Sequence, residues 1–221
     1  NENKSSAEVL DDMAKIRSND LAISGMWFDR PFDTHVNNFE FDPKRFEDAD
    51  AMLKSVHASG FATAMWSTPY VEEGGKEHQK IIDNKWFVDV PKLAEQFFKW
   101  GPPLDLTNPA VMAFWRQQIS KMSSRGISGW KLDFAEDIHP GLFQVRTHFA
   151  FHDGSDERTM HHKYPLFYHK PYFDNLPKDG GFILARAGTY GGQTLASMIW
   201  PGDLDASFHP SGWCEGIDPC V

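Results

Sequence analysis

Cysteine is scarce in this 221-residue chain: only Cys214 and Cys220 occur, both near its C-terminal end. Two thiols so placed can neither staple a disulfide framework nor supply a multi-thiolate zinc site, and they read as free thiols. Long apolar runs are missing as well. None approaches the ~18 residues that a membrane-spanning helix requires, so no membrane role is expected. Positive charge is in deficit, with 22 Lys and Arg against 31 Asp and Glu and a net charge of −9. No basic run offers a footprint for a phosphate backbone, which removes nucleic acid from the expected partners. The first residues, Asn1-Glu2-Asn3-Lys4, carry neither an initiator Met nor the basic-then-apolar pattern of a secretory leader. The numbering is therefore expected to start at a processed or truncated end of a soluble chain, with cytoplasmic and secreted or periplasmic locations both open.

What remains is ordinary for a folded domain, 41% apolar and 24% charged, with eighteen Phe and eight Trp. Ser5-Ser6-Ala7-Glu8 forms a capping box, and Val9, Leu10, Met13 and Ile16 follow at helical spacing. The nearly uncharged run Leu21 to Phe28 reads as a buried strand ending at Asp29. The plan then repeats. Asp42 as N-cap and Pro43 at the first helical position predict a helix closed by Gly60, with Phe61 to Trp66 as the next strand. Asn108-Pro109 opens a third helix, stopped by Gly126, and Ile127 to Phe134 follows as a strand. Gly181 to Ala187 and Ala196 to Trp200 supply two further strands across a short, Gly-rich crossover. Helices that end in Gly and pass at once into buried strands mark successive parallel βαβ units. Two long insertions, at about 67–107 and 135–180, interrupt the pattern, and loops of that length are usually functional.

In a parallel α/β barrel, chemistry collects where the strands end at their carboxyl side. There this chain places Trp27-Phe28-Asp29, Trp66-Ser67-Thr68-Pro69, Lys131-Leu132-Asp133-Phe134-Ala135-Glu136, Arg186-Ala187 and Trp200-Pro201-Gly202-Asp203. Any one of these carboxylates could simply cap a helix. Their recurrence beside Trp points elsewhere. Two carboxylates in a pocket walled by aromatic rings suit glycosidic cleavage, where one protonates the leaving oxygen and the other meets the developing oxocarbenium.

The octapeptide Gly129-Trp130-Lys131-Leu132-Asp133-Phe134-Ala135-Glu136 resembles the nucleophile signature of glycoside hydrolase family 31, in which an aspartate closes the fourth barrel strand. Trp27-Phe28-Asp29 with Phe39-Glu40-Phe41-Asp42-Pro43 resembles the family's second strand and next helix start, and Gly60 to Pro69 its third strand. Leu106-Thr107-Asn108-Pro109 resembles the helix entry before the nucleophile strand. Arg186 and Trp200-Pro201-Gly202-Asp203 resemble the fifth and sixth strands. The resemblance covers about residues 8–208. It implies a (β/α)8 TIM-barrel fold of which this chain holds strands two to six, and a retaining α-glycosidase needing no metal or organic cofactor. Asp133 would be the nucleophile and Asp203 the general acid/base. Asp29, Lys131 and Arg186 would bind the sugar, with Trp27, Trp66, Trp130 and Trp200 as candidate walls. The family's N-terminal β-sandwich, first strand and last two strands are not represented, and Lys131-Leu132 stands where Trp is common before the nucleophile.

Other readings compete for the same residues. His148, His152, His161, His162 and His169 could be taken as metal ligands, but no Cys or paired carboxylate completes a set. Glu136 and Asp137 read as solvated or capping, Asp205 rivals Asp203 as proton donor, and Gly188 to Gly192 lacks the pattern of a nucleotide loop. An α-galactosidase-like enzyme, an α-glucan lyase or a non-catalytic carbohydrate-binding fragment would also fit the pattern. The expected partners are a carbohydrate and the barrel and β-sandwich parts of a larger enzyme. The strand count carries the sharpest expectation: a structure with a closed eight-stranded barrel inside residues 1–221 would contradict it.

Overall fold

Among the described residues five strands lie side by side in the order of the sequence and all run parallel, which is the winding of a barrel and not of a doubly wound sheet, whose strand order reverses midway. The computed structural model describes residues 4–96, 98–142, 145–178 and 180–203. Its elements are α1 (Ser6–Ser18), β1 (Gly25–Phe28), α2 (Ala49–Ala58), β2 (Ala62–Ser67), the short helices α3 (His78–Asp83) and α4 (Lys92–Glu95), and α5 (Pro109–Ser123). There follow β3 (Ile127–Leu132), the hairpin β4 (Gly141–Leu142) and β5 (Val145–Arg146), α6 (Glu157–Phe173), β6 (Phe182–Ala185) and β7 (Met198–Ile199). The sheet order is β1-β2-β3-β6-β7, an arc of a (β/α)8 barrel. Among the described residues no helix is long and apolar enough to cross a membrane.

Register sorts the side chains into layers. Trp27 pairs with Ala64, Ala64 with Gly129, and Gly129 with Phe182. Two residues further along, Trp66 pairs with Lys131 and Lys131 with Leu184. Because strand side chains alternate, these two rows share the concave face, while the row between them, Met65, Trp130 and Ile183, points at the helices. Trp130 is accordingly buried under the helix layer, its ring 5.0 Å from Tyr172 and 6.4 Å from Phe39. It is core and does not wall the pocket as expected, because its register position turns it to the opposite face. Trp115 of α5 completes this aromatic layer, edge-on to Phe39 at 5.0 Å.

Several local expectations shift. The run Leu21 to Ser24 lies outside the strand, and Leu21 and Ile23 are 49% and 40% exposed. Asp20 adopts a left-handed φ of 53°, and the Leu21 N–H closes on the Ile16 carbonyl, so this segment wraps the end of α1. Asp42 starts only one turn, its carbonyl accepting from the Arg45 and Phe46 N–H groups. The helix itself begins six residues later, where the Asp48 side chain accepts from the Ala51 N–H at 2.9 Å. The span 135–180, expected as a loop insertion, contains α6, which packs against β6 and beside α5. Pro165 and Pro171 hide this helix from a reading of the sequence, since each costs an interior helix about 3 kcal/mol. The stripe Tyr164, Tyr168 and Tyr172, fully buried at four-residue spacing, outweighs them. Tyr164 donates to the Leu104 carbonyl at 2.7 Å, and the Tyr172 and Ser67 hydroxyls share a hydrogen bond of 2.7 Å.

Gly126 ends α5 at φ +98°, and a Cβ there would collide with the His57 ring, whose Nε2 is held 2.9 Å from the Thr63 hydroxyl. Gly126→Ala therefore adds left-handed strain of about 1–2 kcal/mol and a clash that the fixed ring cannot relieve. The expected result is a lower melting temperature for the full-length variant; an unchanged one would refute this reading of the α5–β3 turn.

Candidate active site

Asp133 follows β3 immediately and is 8% exposed, so its charge needs partners close by. It has them on three sides. Its Oδ1 accepts from Arg186 Nη1 at 2.7 Å and from the Phe134 N–H at 2.9 Å, and its Oδ2 accepts from the Trp66 indole at 2.9 Å. Trp66 comes from β2 and Arg186 from the end of β6, the two strands that flank β3. The Asp133 N–H bonds to the Ser67 carbonyl, and the Arg186 N–H to the Leu132 carbonyl, so the parallel ladder continues past the strand ends and fixes all three backbones.

A second cluster sits alongside. Asp29, directly after β1, accepts from Lys131 Nζ at 2.5 Å and from the Trp27 indole at 3.0 Å. The Lys131 ammonium lies 5.3 Å from the centre of the Trp200 ring and 6.0 Å from that of Trp27. Asp203 is exposed, and Gly202 before it lies against Arg186: a Cβ at Gly202 would sit 3.9 Å from Arg186 Cδ. The strand ends thus draw Asp29, Trp27, Trp66, Lys131, Asp133, Arg186 and Trp200 to one mouth, while Trp130 lies on the other face. Asp205, Cys214 and Cys220 fall outside the described residues.

Four residues that the sequence reading passed over or dismissed belong to the same structure. Glu136 caps no helix and, although its side chain stays partly exposed, it pairs with Arg186 Nη2, making that guanidinium a bridge to Asp133. Burial raises the Glu136 carboxyl above its usual range, Arg186 pulls it back, and Asp137 adds to the rise. Trp100, in the 67–107 span, meets Trp66 edge-on at 5.9 Å and Phe134 at 5.2 Å. The Arg30 guanidinium lies 5.3 Å from the centre of Trp100 and 5.9 Å from that of Trp66, with Glu72 as its counter-ion at 3.7 Å. Behind Arg30 is Asp33, buried, with Oδ2 accepting from the Asn37 N–H at 3.2 Å and Oδ1 unpaired among the described residues. The one available signal was Arg30 following Asp29 directly at a strand end.

Two of the histidines have other surroundings. His161 Nδ1 donates to the Ile138 carbonyl at 2.6 Å, and His169 is buried in α6, where burial lowers it to about 4. Among the described residues no group of His, Cys, Asp and Glu is arranged to hold a metal.

The profile of the glycosyl hydrolases family 31 TIM-barrel domain matches residues 1–211. The chain belongs to glycosyl hydrolase family 31. It is 27% identical over 182 residues to an α-xylosidase of Emericella nidulans, covering 78% of this chain and 22% of that protein. It is 27% identical over 195 residues to a sulfoquinovosidase of Escherichia coli, covering 83% of this chain and 27% of that one. The chain therefore spans about a quarter of the length of these curated relatives. A family 31 α-xylosidase from a soil metagenome, solved with xylose, shares the fold at a TM-score of 0.79 with 18% identity, over 94% of this chain and 31% of that one. A Flavobacterium johnsoniae family 31 dextranase aligns at 0.76 with 16% identity, over 92% of this chain and 26% of its own.

Burial raises the Asp33 carboxyl to about 7, against the pull of Arg30 and of the Asp33 and Asn37 N–H groups and with the help of Glu72. Its ordinary value is 3.8, so the folded state binds this proton more tightly than the unfolded one. The stability Asp33 contributes is full below about pH 4 and is lost as pH rises to about 7. Asp33→Asn should flatten that slope, which melting curves of the full-length variant between pH 4 and 8 would show; an unchanged slope would rule it out.

Proposed function

We propose that this chain is the central part of the catalytic barrel of a retaining α-glycoside hydrolase, with Asp133 as nucleophile and Asp203 as general acid/base. The observation that carries the reading is the grip on Asp133: a buried carboxylate paired with Arg186, whose Oδ2 accepts a single hydrogen bond, from Trp66, among the described residues. Oδ2 is thus the oxygen freer to attack an anomeric carbon.

In the first step the Asp133 carboxylate bonds to the anomeric carbon while the Asp203 carboxyl gives its proton to the glycosidic oxygen, and the bond between that carbon and oxygen breaks. The leaving sugar departs as an alcohol and a glycosyl ester remains on Asp133. In the second step Asp203, now ionised, takes a proton from water as the water oxygen attacks the anomeric carbon, and the carboxylate of Asp133 is released. Two inversions give net retention. Asp29 and Lys131 supply an acceptor and a donor for sugar hydroxyls, Arg186 shares this work, and the rings of Trp27, Trp66 and Trp200 offer apolar contact to the sugar's C–H faces. The wall of the pocket beyond β1 and β7 is assigned to barrel parts outside this chain, with a β-sandwich further off. The substrate is a terminal α-linked sugar. The relatives named α-xylosidase and sulfoquinovosidase put α-xylosides and α-sulfoquinovosides beside α-glucosides and α-galactosides on the panel to assay.

In the full-length enzyme, Asp133→Ala is expected to lower turnover of an aryl α-glycoside by about a thousandfold or more. Azide should restore part of it, yielding the β-glycosyl azide because it attacks from the vacated face. Wild-type turnover in the variant would sink the assignment of Asp133.

A further inference from the structure

Arg186 could bind Asp133 far more tightly than it does. A guanidinium facing a carboxylate ordinarily forms two parallel hydrogen bonds, one to each oxygen. Here only Nη1 reaches Asp133, at Oδ1, and Nη2 is taken by Glu136. The Arg186 Cζ lies 4.1 Å from the centre of the Phe134 ring, which fixes the plane in which both arms extend.

The turn that brings Glu136 to this place is strained. Phe134 and Ala135 adopt φ of 60° and 84°, two consecutive non-glycine residues in the left-handed region. Each such residue costs of the order of 1–2 kcal/mol, and such strain persists only where surroundings enforce it. They do so here. The Phe134 N–H bonds to Asp133 Oδ1, the Phe134 ring meets Trp100 and Tyr70 edge-on at 5.2 and 5.9 Å, and Ala135 is buried. A relaxed, extended path after Asp133 would carry Glu136 away from Arg186.

We infer that Glu136 is a positioning residue: by holding the second arm of Arg186 it keeps that guanidinium off Asp133 Oδ2 and leaves this oxygen free to attack. The inference rests on the proposed role of Asp133 and adds to it the residue that sets its reactivity. Without Glu136, Arg186 can close a two-bond fork on Asp133, and a carboxylate so paired is a poorer nucleophile. Glu136→Gln also takes a like charge away from the neighbourhood of that carboxylate. Among the described residues, the titratable and charged groups around that carboxylate are Arg186 at the end of β6, Glu136 and Asp137 from its own turn, the Lys131–Asp29 pair from β3 and β1, Asp203 after β7, and Tyr168 of α6.

The test uses the full-length enzyme and a fluorinated glycosyl fluoride that traps the covalent intermediate, followed by mass spectrometry and across pH. In the wild type the label is expected on Asp133. In Glu136→Gln, whose partly exposed side chain should leave the melting temperature near that of the wild type, labelling is expected to slow by about tenfold or more. The acidic limb of the labelling rate should move to lower pH. Glu136→Asp keeps the charge but is one methylene short of Arg186, so it should slow labelling with less movement of that limb. A Glu136→Gln variant labelled within about threefold of the wild-type rate would overturn the inference. So would a slow variant with an unmoved acidic limb, since loss of structure alone lowers the rate without shifting it. Failure of the wild type to label at Asp133 would instead remove the proposed nucleophile itself.

Discussion

Everything at the mouth of this barrel depends on one buried negative charge and on the two strands that flank it. A carboxylate withdrawn from water must find donors, and no donor on its own strand can meet both oxygens of Asp133. Trp66 reaches it from β2 and Arg186 from the end of β6. Both can do so because β2, β3 and β6 are parallel and in register, so that all three end at the same height. Antiparallel neighbours would bring loop residues from the opposite end of the sheet. The fold's winding rule is thus also the rule that assembles the charge cluster.

Behind this contact stands a supporting shell drawn from segments with little regular structure. Trp100 braces Trp66, Arg30 lies against both rings, and Glu72 balances Arg30 while accepting from the Val36 N–H at 2.8 Å. Asn37 ties the same region to the sheet, donating to the Tyr70 carbonyl at 2.6 Å and accepting from the Ser67 hydroxyl at 2.7 Å. The chain from β1 to α2 and the span from β2 to α5 are therefore tied into one backing for Trp66, and hence for the orientation of Asp133.

Much of the plan was legible residue by residue. Ser5, Asn108 and the glycines at 60 and 126 mark helix ends through local hydrogen bonding and backbone freedom, which need no tertiary information. Asp29, Lys131, Asp133 and Arg186 could be named because strand ends in a parallel barrel all face one way. Trp130 misled because one register step decides whether a strand residue meets the pocket or the helices, and Trp suits either. Helix α6 was missed because Pro165 and Pro171 oppose it locally, while the tyrosine stripe that stabilises it acts only once a sheet and α5 are there to receive it.

The sequence by itself determined the parallel winding, the order of the strands and the set of charged residues at their ends, because periodicity, caps and motif order are properties of neighbouring residues. Only the tertiary structure decided which of those residues touch. Glu136 shares a guanidinium with Asp133 across a turn of two left-handed residues, Arg30 and Trp100 meet from spans seventy residues apart, and Trp130 turns its back on the site. Distance, register and burial fix these relations, and a linear chain does not state them.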